Sequence, residues 1–148
     1  MTLRYLLDTC VVSEFVKPQP DPHVVVWMNQ VDVVQTYLSV VTIGEVQSGI
    51  SAKPPSNRRT LLEIWLRNDL LIQFAGRIVS LDVDILLVSG ELTASLRSRG
   101  VTMGGMDALI AATARYRDMV LVTRNTDDFA HTGLRLLDPW QARDERRD

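Results

Sequence analysis

Three acids stand where an apolar run gives way to a polar segment: Asp8 after "YLL", Glu45 in "TIGEV" after "TYLSV", and Asp107 in "GGMDAL". A fourth such place is "VLVTRNTDDF", residues 120–129, where Val120, Leu121 and Val122 lead into Thr123, Arg124, Asn125, Asp127 and Asp128. Carboxylates brought within a few ångströms of one another repel, and each raises its neighbours' pKa unless a cation lies among them. An all-oxygen donor set favours Mg²⁺ or Mn²⁺, and Mg²⁺ keeps several waters and recruits substrate phosphates. Such a centre suits phosphodiester hydrolysis, in which one ion activates water and a second, about 4 Å away if present, stabilises the leaving oxygen.

Each acid also has an ordinary structural use. Asp8, or equally Thr9, could cap the helix that follows the first strand. Thr42-x-x-Glu45 matches a capping box, in which the glutamate folds back onto the cap amide. Asp107 in a first helical turn is ordinary dipole chemistry. The case for a site therefore rests on joint placement, and that depends on the elements that carry these residues.

Short runs rich in β-formers, "YLL" (5–7), "TYLSV" (36–40), "IVSL" (78–81), "VLVT" (120–123) and "LRLL" (134–137), read as buried strands. Between them lie stretches with helical spacing: Val12 to Val16, "HVVVWMNQV" (23–31), "TIGEVQSGI" with Thr42 as its candidate cap, and "SNRRTLLEIWLRNDLL" capped by Ser56. "DVDILLVSGELTASLRSRG" is capped by Asp82 and stopped by Gly100, and "MDALIAATARYRD" completes the set. "KPQPDP" and "AKPPSN" read as proline turns. Strands separated by helices imply an α/β fold with a central, mostly parallel sheet of about five strands covered on both faces. Ligands in such folds bind outside the carboxyl ends of the strands, where the four acidic places fall.

The 148 residues suit a single domain, 1–148, with a polar tail from about 141 to 148. Hydrophobic residues at 46% and charged residues at 23% are globular composition. One cysteine, Cys10, excludes an intramolecular disulfide and points to a reducing cytoplasm. "MTLRYLLDTC" reads as neither signal peptide nor membrane span. A net charge of -2 gives no global attraction to nucleic acid, so any contact with it must be local. Among the 16 cations only Lys17 and Lys53 are lysine.

Taken together, "LLDTCVVSE", "YLSVVTIGEVQSGI", "MDALIAATA" and "LVTRNTDDF" resemble, in order, the motifs of PIN-domain proteins of the VapC type. "FAGRIVSLD" and "DPW" resemble segments of the FitB-like branch. The resemblance implies a PIN-like fold and Mg²⁺- or Mn²⁺-dependent endoribonuclease activity, with Asp8, Glu45 and Asp107 binding metal. It implies the toxin of a type II toxin–antitoxin module, held by a VapB- or FitA-like antitoxin that reaches operator DNA, and a homodimer. Asn125 departs from the pattern, since many relatives have aspartate there. A neutral carbonyl oxygen can bind metal or its water but adds no charge, so Asp128 becomes the candidate for supporting charge and Asp127 faces solvent. Thr123, with Thr9, is a supporting hydroxyl placed to hold a carboxylate or water.

Arg97, Arg99 and Arg124 are candidates for rim contacts with RNA phosphate. Cys10 reads as a small buried residue, His23 and His131 as surface residues, and Trp27, Trp65 and Trp140 as packing residues. "RR" at 58–59 and "RDERRD" at 143–148 read as solvated charge. A phospho-acceptor receiver domain also clusters acids at strand ends, but it needs a lysine after its last strand and none follows Lys53. A catalytically weak PIN scaffold, serving as a partner in a DNA-bound complex, is the alternative that Asn125 leaves open.

Overall fold

The computed structural model describes residues 2–141; the segment "RDERRD" and nearly all of the expected tail lie outside them. Five parallel strands, β1 (Tyr5–Leu7), β2 (Thr36–Ser39), β3 (Ile78–Val79), β4 (Val120–Val122) and β5 (Leu136–Leu137), form one sheet in the order β3-β2-β1-β4-β5. The chain builds outward from β1 through β2 to β3 and then crosses to β4 on the other side. The order of connection thus reverses between β1 and β4, the kind of switch point where a doubly covered sheet leaves a crevice at its carboxyl edge. Paired residues place Leu7 opposite Val122, so these two strands end level. The ladder runs one residue further, because the Asp8 N–H donates to the Val122 carbonyl at 2.9 Å.

Two cores flank the sheet. Leu6 and Leu121 face helices α6 (Val83–Ser98) and α7 (Gly105–Tyr116), and Leu7 and Val122 face the other layer. That second layer is α1 (Thr9–Glu14), α2 (Pro22–Gln30), α3 (Val40–Ser51), α4 (Asn57–Ile64) and α5 (Leu71–Gln73). All four of these strand residues are fully buried, which is why the strands are continuous apolar runs without alternation.

Several boundaries differ from the expectation. The helix after β2 begins at Val40 with Ser39 as its cap, so Thr42 lies inside the first turn, fully buried, and forms no capping box. The first helix starts at Thr9, three residues before the expected Val12. Edge strands β3 and β5 are only two residues long, each paired on one side. Between α4 and α5 the helix widens into a π-helical turn, Trp65–Leu70, which apolar spacing does not reveal. Ser56 and Asp82 do cap α4 and α6, and Gly100 follows α6 with φ +78°, a conformation that suits glycine.

Candidate active site

Asp8 follows β1 at the switch point and is 7% exposed. One carboxylate oxygen, Oδ1, accepts from the Thr9 N–H at 2.9 Å, and Oδ2 accepts from the Thr123 hydroxyl at 2.8 Å. Asp8 therefore caps α1 and also faces the crevice; the two roles coexist because each uses a different oxygen. Thr123, fully buried just past β4, accepts from the Asn125 N–H at 3.0 Å and so ties the fourth polar segment to the first acid. Such a fixed carboxylate is what a metal ligand needs, since orientation set by neighbouring donors is retained when an ion arrives.

Glu45, half-buried on α3, does not reach back to its own helix terminus. Its Oε1 accepts from the Thr9 hydroxyl at 2.7 Å, and Thr42 Oγ1 lies 3.5 Å from the same hydroxyl. Starting α3 at Val40 sets this arrangement: Thr42 and Glu45, three residues apart, share the side of the helix that meets α1.

Asp107 is the third residue of α7, behind Gly104, which caps without a side chain. A helix N-terminus would lower its pKa. Burial first, and then the charges of Asp8, Asp128 and Glu45, instead push the Asp107 carboxyl above the ordinary range. These are the acids whose charges act on Asp107. Asp128, on the 3-10 turn Thr126–Phe129, is among them, and Asp127 is not.

Four carboxylates thus lie near enough to influence one another at the carboxyl edge, and among the described residues none of them is ion-paired. No three acidic, histidine or cysteine side chains among the described residues converge closely enough, as they stand, to ligate one ion. Uncompensated carboxylates repel, which is a physical reason for them to stand apart. The donor set itself, all oxygen and several negative charges without a counter-ion, fits a hard divalent cation.

The remaining residues sort as follows. Asn125 contributes its N–H to Thr123, and its exposed side chain makes no cap bond. Arg124 is exposed, with its guanidinium 5.6 Å from the Trp140 ring centre, and its N–H lies 3.5 Å from Cys10 Sγ. Helices α6 and α7 run antiparallel, since Tyr116 at the end of α7 bonds Asp84 at the start of α6. The end of α6, with Arg97 and Arg99, accordingly lies towards the start of α7, and Arg99 donates to the His131 carbonyl at 3.2 Å beside the fourth segment.

Cys10 is half-buried, more open than expected; burial chiefly, with Asp8 also contributing, raises its thiol pKa, although the Arg124 N–H opposes this. A protonated thiol beside a carboxylate is a poor nucleophile. Both histidines are exposed, as expected.

Sequence reasoning missed Glu14, which is 4% exposed and accepts from Lys17 Nζ at 2.7 Å and from the Asp21 N–H at 3.2 Å. It fixes the end of α1 against the start of α2. Its signal was present as the last residue of "LLDTCVVSE". The arginine pair at 58–59 is likewise not simply solvated. Arg58 donates to the Val16 carbonyl at 2.5 Å, and half-buried Arg59 bonds the Lys53 carbonyl at 2.9 Å and Glu63 at 3.2 Å. These partners lie on the turns that link α1 to α2 and α3 to α4, or one helical turn away.

Comparison with known proteins agrees with this geometry. The chain is 35% identical over 136 residues to the VapC ribonuclease Y4jK of Sinorhizobium fredii, covering 92% of this chain and 97% of that one. It is 30% identical over 135 residues to the toxin FitB of Neisseria gonorrhoeae, covering 91% and 97% respectively. A solved structure of FitAB bound to an IR36 DNA fragment contains a chain that superposes with a TM-score of 0.89 at 29% identity, covering 95% of this chain and 99% of that one. The PIN domain model matches residues 5–134, and with the sheet order and the four acids at its switch point already described, the chain belongs to the PIN domain family.

Proposed function

We propose that this chain is a divalent-metal-dependent endoribonuclease and the toxin of a type II toxin–antitoxin pair. The observation that carries this reading is that Asp8, Glu45 and Asp128 act on Asp107 at the carboxyl edge of the sheet, none of the four being ion-paired with another described residue. Asp8, Glu45 and Asp107 would hold the ion, Mg²⁺ or Mn²⁺, with Asp128 adding charge and Asn125 a neutral oxygen. When bound, such an ion polarises the phosphodiester and acidifies water. The chain's own residues do the positioning. Thr123 and the Thr9 N–H fix both oxygens of Asp8, the Thr9 hydroxyl aims Glu45, and Arg97, Arg99 and Arg124 would contact the RNA phosphates at the rim.

The likeness to proteins named VapC ribonuclease and toxin FitB supports RNA as the substrate. The likeness to FitAB on a DNA fragment supports an antitoxin partner through which operator DNA is reached. Homodimerisation is supported by apolar side chains left open on α6, where Val83 is 74% and Leu87 59% exposed. A cytoplasmic location is consistent with the lone cysteine, and no helix among the described residues is long and apolar enough to cross a membrane.

The test is cleavage of total RNA in Mg²⁺ or Mn²⁺ by the wild type, Asp8→Asn and Asp107→Asn. Cleavage that disappears in both variants while circular dichroism stays native supports the reading. Undiminished cleavage by both variants rejects it.

A further inference from the structure

A groove of about 310 Å³ opens beside Glu45, between α1, α3 and α4, in the size range of roughly 300–1,000 Å³ typical of ligand clefts. Thr9 and Glu45 are shared between this groove and the acid cluster, so the two are continuous. Its apolar lining includes Val16, Ile50 and the half-buried Trp65, and its charged lining includes Lys17, Lys53 and Arg58. Both lysines of the chain therefore lie in one groove, in a protein whose net charge is -2.

Two of these cations are braced by hydrogen bonds, and the third is anchored only through its backbone. Arg58 is held against the Val16 carbonyl, the backbone carbonyl of Lys53 is gripped by Arg59, and Lys17 is braced by Glu14. An ammonium has three donors, and Glu14 takes one of those on Lys17. The Lys53 ammonium has no hydrogen-bond or ion-pair partner among the described residues. Trp65 packs against the second core, as expected of a packing residue, but it also lines this groove and begins the π-helical turn, a distortion often kept at functional sites.

We propose that this groove is a nucleotide subsite for the RNA strand next to the cleaved bond, with the base against Trp65 and Val16 and the backbone phosphates on Lys53, Arg58 and Lys17. The inference rests on the ribonuclease reading above and adds where the strand leaves the acids. A strand crossing an acidic centre needs cations just outside it, because the carboxylates repel every phosphate that the ion does not hold. An aromatic wall beside a cationic edge suits a base on its phosphate, whatever the base, as in sequence-tolerant single-strand binding. An acidic protein segment would use the same cations but would leave the indole without a planar partner.

The test is fluorescence anisotropy with a 5′-fluorescein oligouridylate decamer in EDTA, where no cleavage competes, at several salt concentrations. The Lys53→Gln/Arg58→Gln variant should bind roughly tenfold more weakly. Its salt dependence should flatten by about 1.4 in log–log slope, since two single-strand phosphate contacts contribute about 0.7 each. Trp65→Leu should also weaken binding roughly tenfold, and Trp65→Phe should retain most of it. Fluorescein-labelled decaglutamate, charged but without bases, should bind at least tenfold more weakly than the decamer.

Unchanged affinity and slope in the double variant overturn the proposal, as does decaglutamate binding as tightly as the RNA. Should loss of the Arg58–Val16 bond unfold the double variant, Lys53→Gln alone carries the test, since its ammonium has no hydrogen-bond or ion-pair partner among the described residues. A wild type that neither binds nor cleaves RNA refutes the ribonuclease reading itself. A wild type that cleaves RNA but binds the decamer indifferently to Lys53 and Arg58 refutes only the subsite.

Discussion

Replacing Thr123 by valine tests the link between the first strand's acid and the fourth polar segment. The substitution keeps the shape of a fully buried side chain and removes one oxygen. That oxygen donates to Asp8 Oδ2 at 2.8 Å and accepts from the Asn125 N–H at 3.0 Å. A hydrogen bond to a charged group is worth about 1.5–3 kcal/mol and a neutral one about 0.5–1.5 kcal/mol. The Asn125 N–H lies at the open end of the site and regains water in part, so the expected loss is about 2–4 kcal/mol. At about 2–4 °C per kcal/mol for a domain of this length, that is a fall in Tm of roughly 5–15 °C.

Thr123→Ser keeps the oxygen and loses only a buried methyl, worth about 0.8 kcal/mol, so it separates packing from the bond. A double-mutant cycle with Asp8→Asn, followed by urea unfolding, should show coupling of at least 1 kcal/mol, whereas independent sites add within about 0.5 kcal/mol. Mn²⁺ affinity of Thr123→Val should fall roughly 10–100-fold, the usual cost of freeing a metal ligand from its support. A Thr123→Val protein that melts within a degree of wild type, or an additive cycle, refutes the reasoning.

Two other outcomes follow from the same site. Because burial and then Asp8, Asp128 and Glu45 raise the Asp107 pKa in the folded state, the fold binds this proton more tightly than the unfolded chain does. Its stabilising effect is complete below the ordinary carboxylate pKa and is lost as pH rises through the folded value. Metal-free Asp107→Asn should therefore melt a few degrees above wild type at pH 7, and the gap should close on acidification below about pH 4. Saturating Mn²⁺ should reverse the order, since a ligand at 100 times its Kd stabilises by about 2.7 kcal/mol and the variant lacks the carboxylate. Differential scanning fluorimetry across pH, with and without Mn²⁺, reads both effects. In the fourth segment, calorimetric titration should show tighter or equal Mn²⁺ binding for Asn125→Asp, several-fold weaker binding for Asp128→Ala, and no change for Asp127→Ala. Loss confined to Asp127→Ala would reverse the ranking of these residues.

The alternation of strand and helix was legible in the sequence because buried parallel strands are short and wholly apolar, and because Ser56, Asp82 and Gly100 are local signals acting within a turn or so. The place of Asp8 at the end of the first strand was legible for the same reason. What failed depended on distant partners. Thr42-x-x-Glu45 satisfies a capping pattern, but Ser39 lies one position before the helix and takes the cap, leaving Glu45 to a hydroxyl 36 residues away on Thr9. Arg58 looked solvated because its acceptor, the Val16 carbonyl, is 42 residues away. The cationic groove was hidden for that reason too, since Lys17, Lys53 and Arg58 are gathered only when α1 meets the α3–α4 turn. The π-helical turn has no local signature in residue type or spacing.

The most direct test of the central claim is a crystal structure of the wild-type protein soaked in Mn²⁺, with anomalous data collected at the manganese edge. A peak held by Asp8 and Asp107, with Glu45 as ligand directly or through water, is the predicted result. A crevice without a peak at saturating Mn²⁺, or an ion bound only at carboxylates outside the β1/β4 crevice, would contradict it.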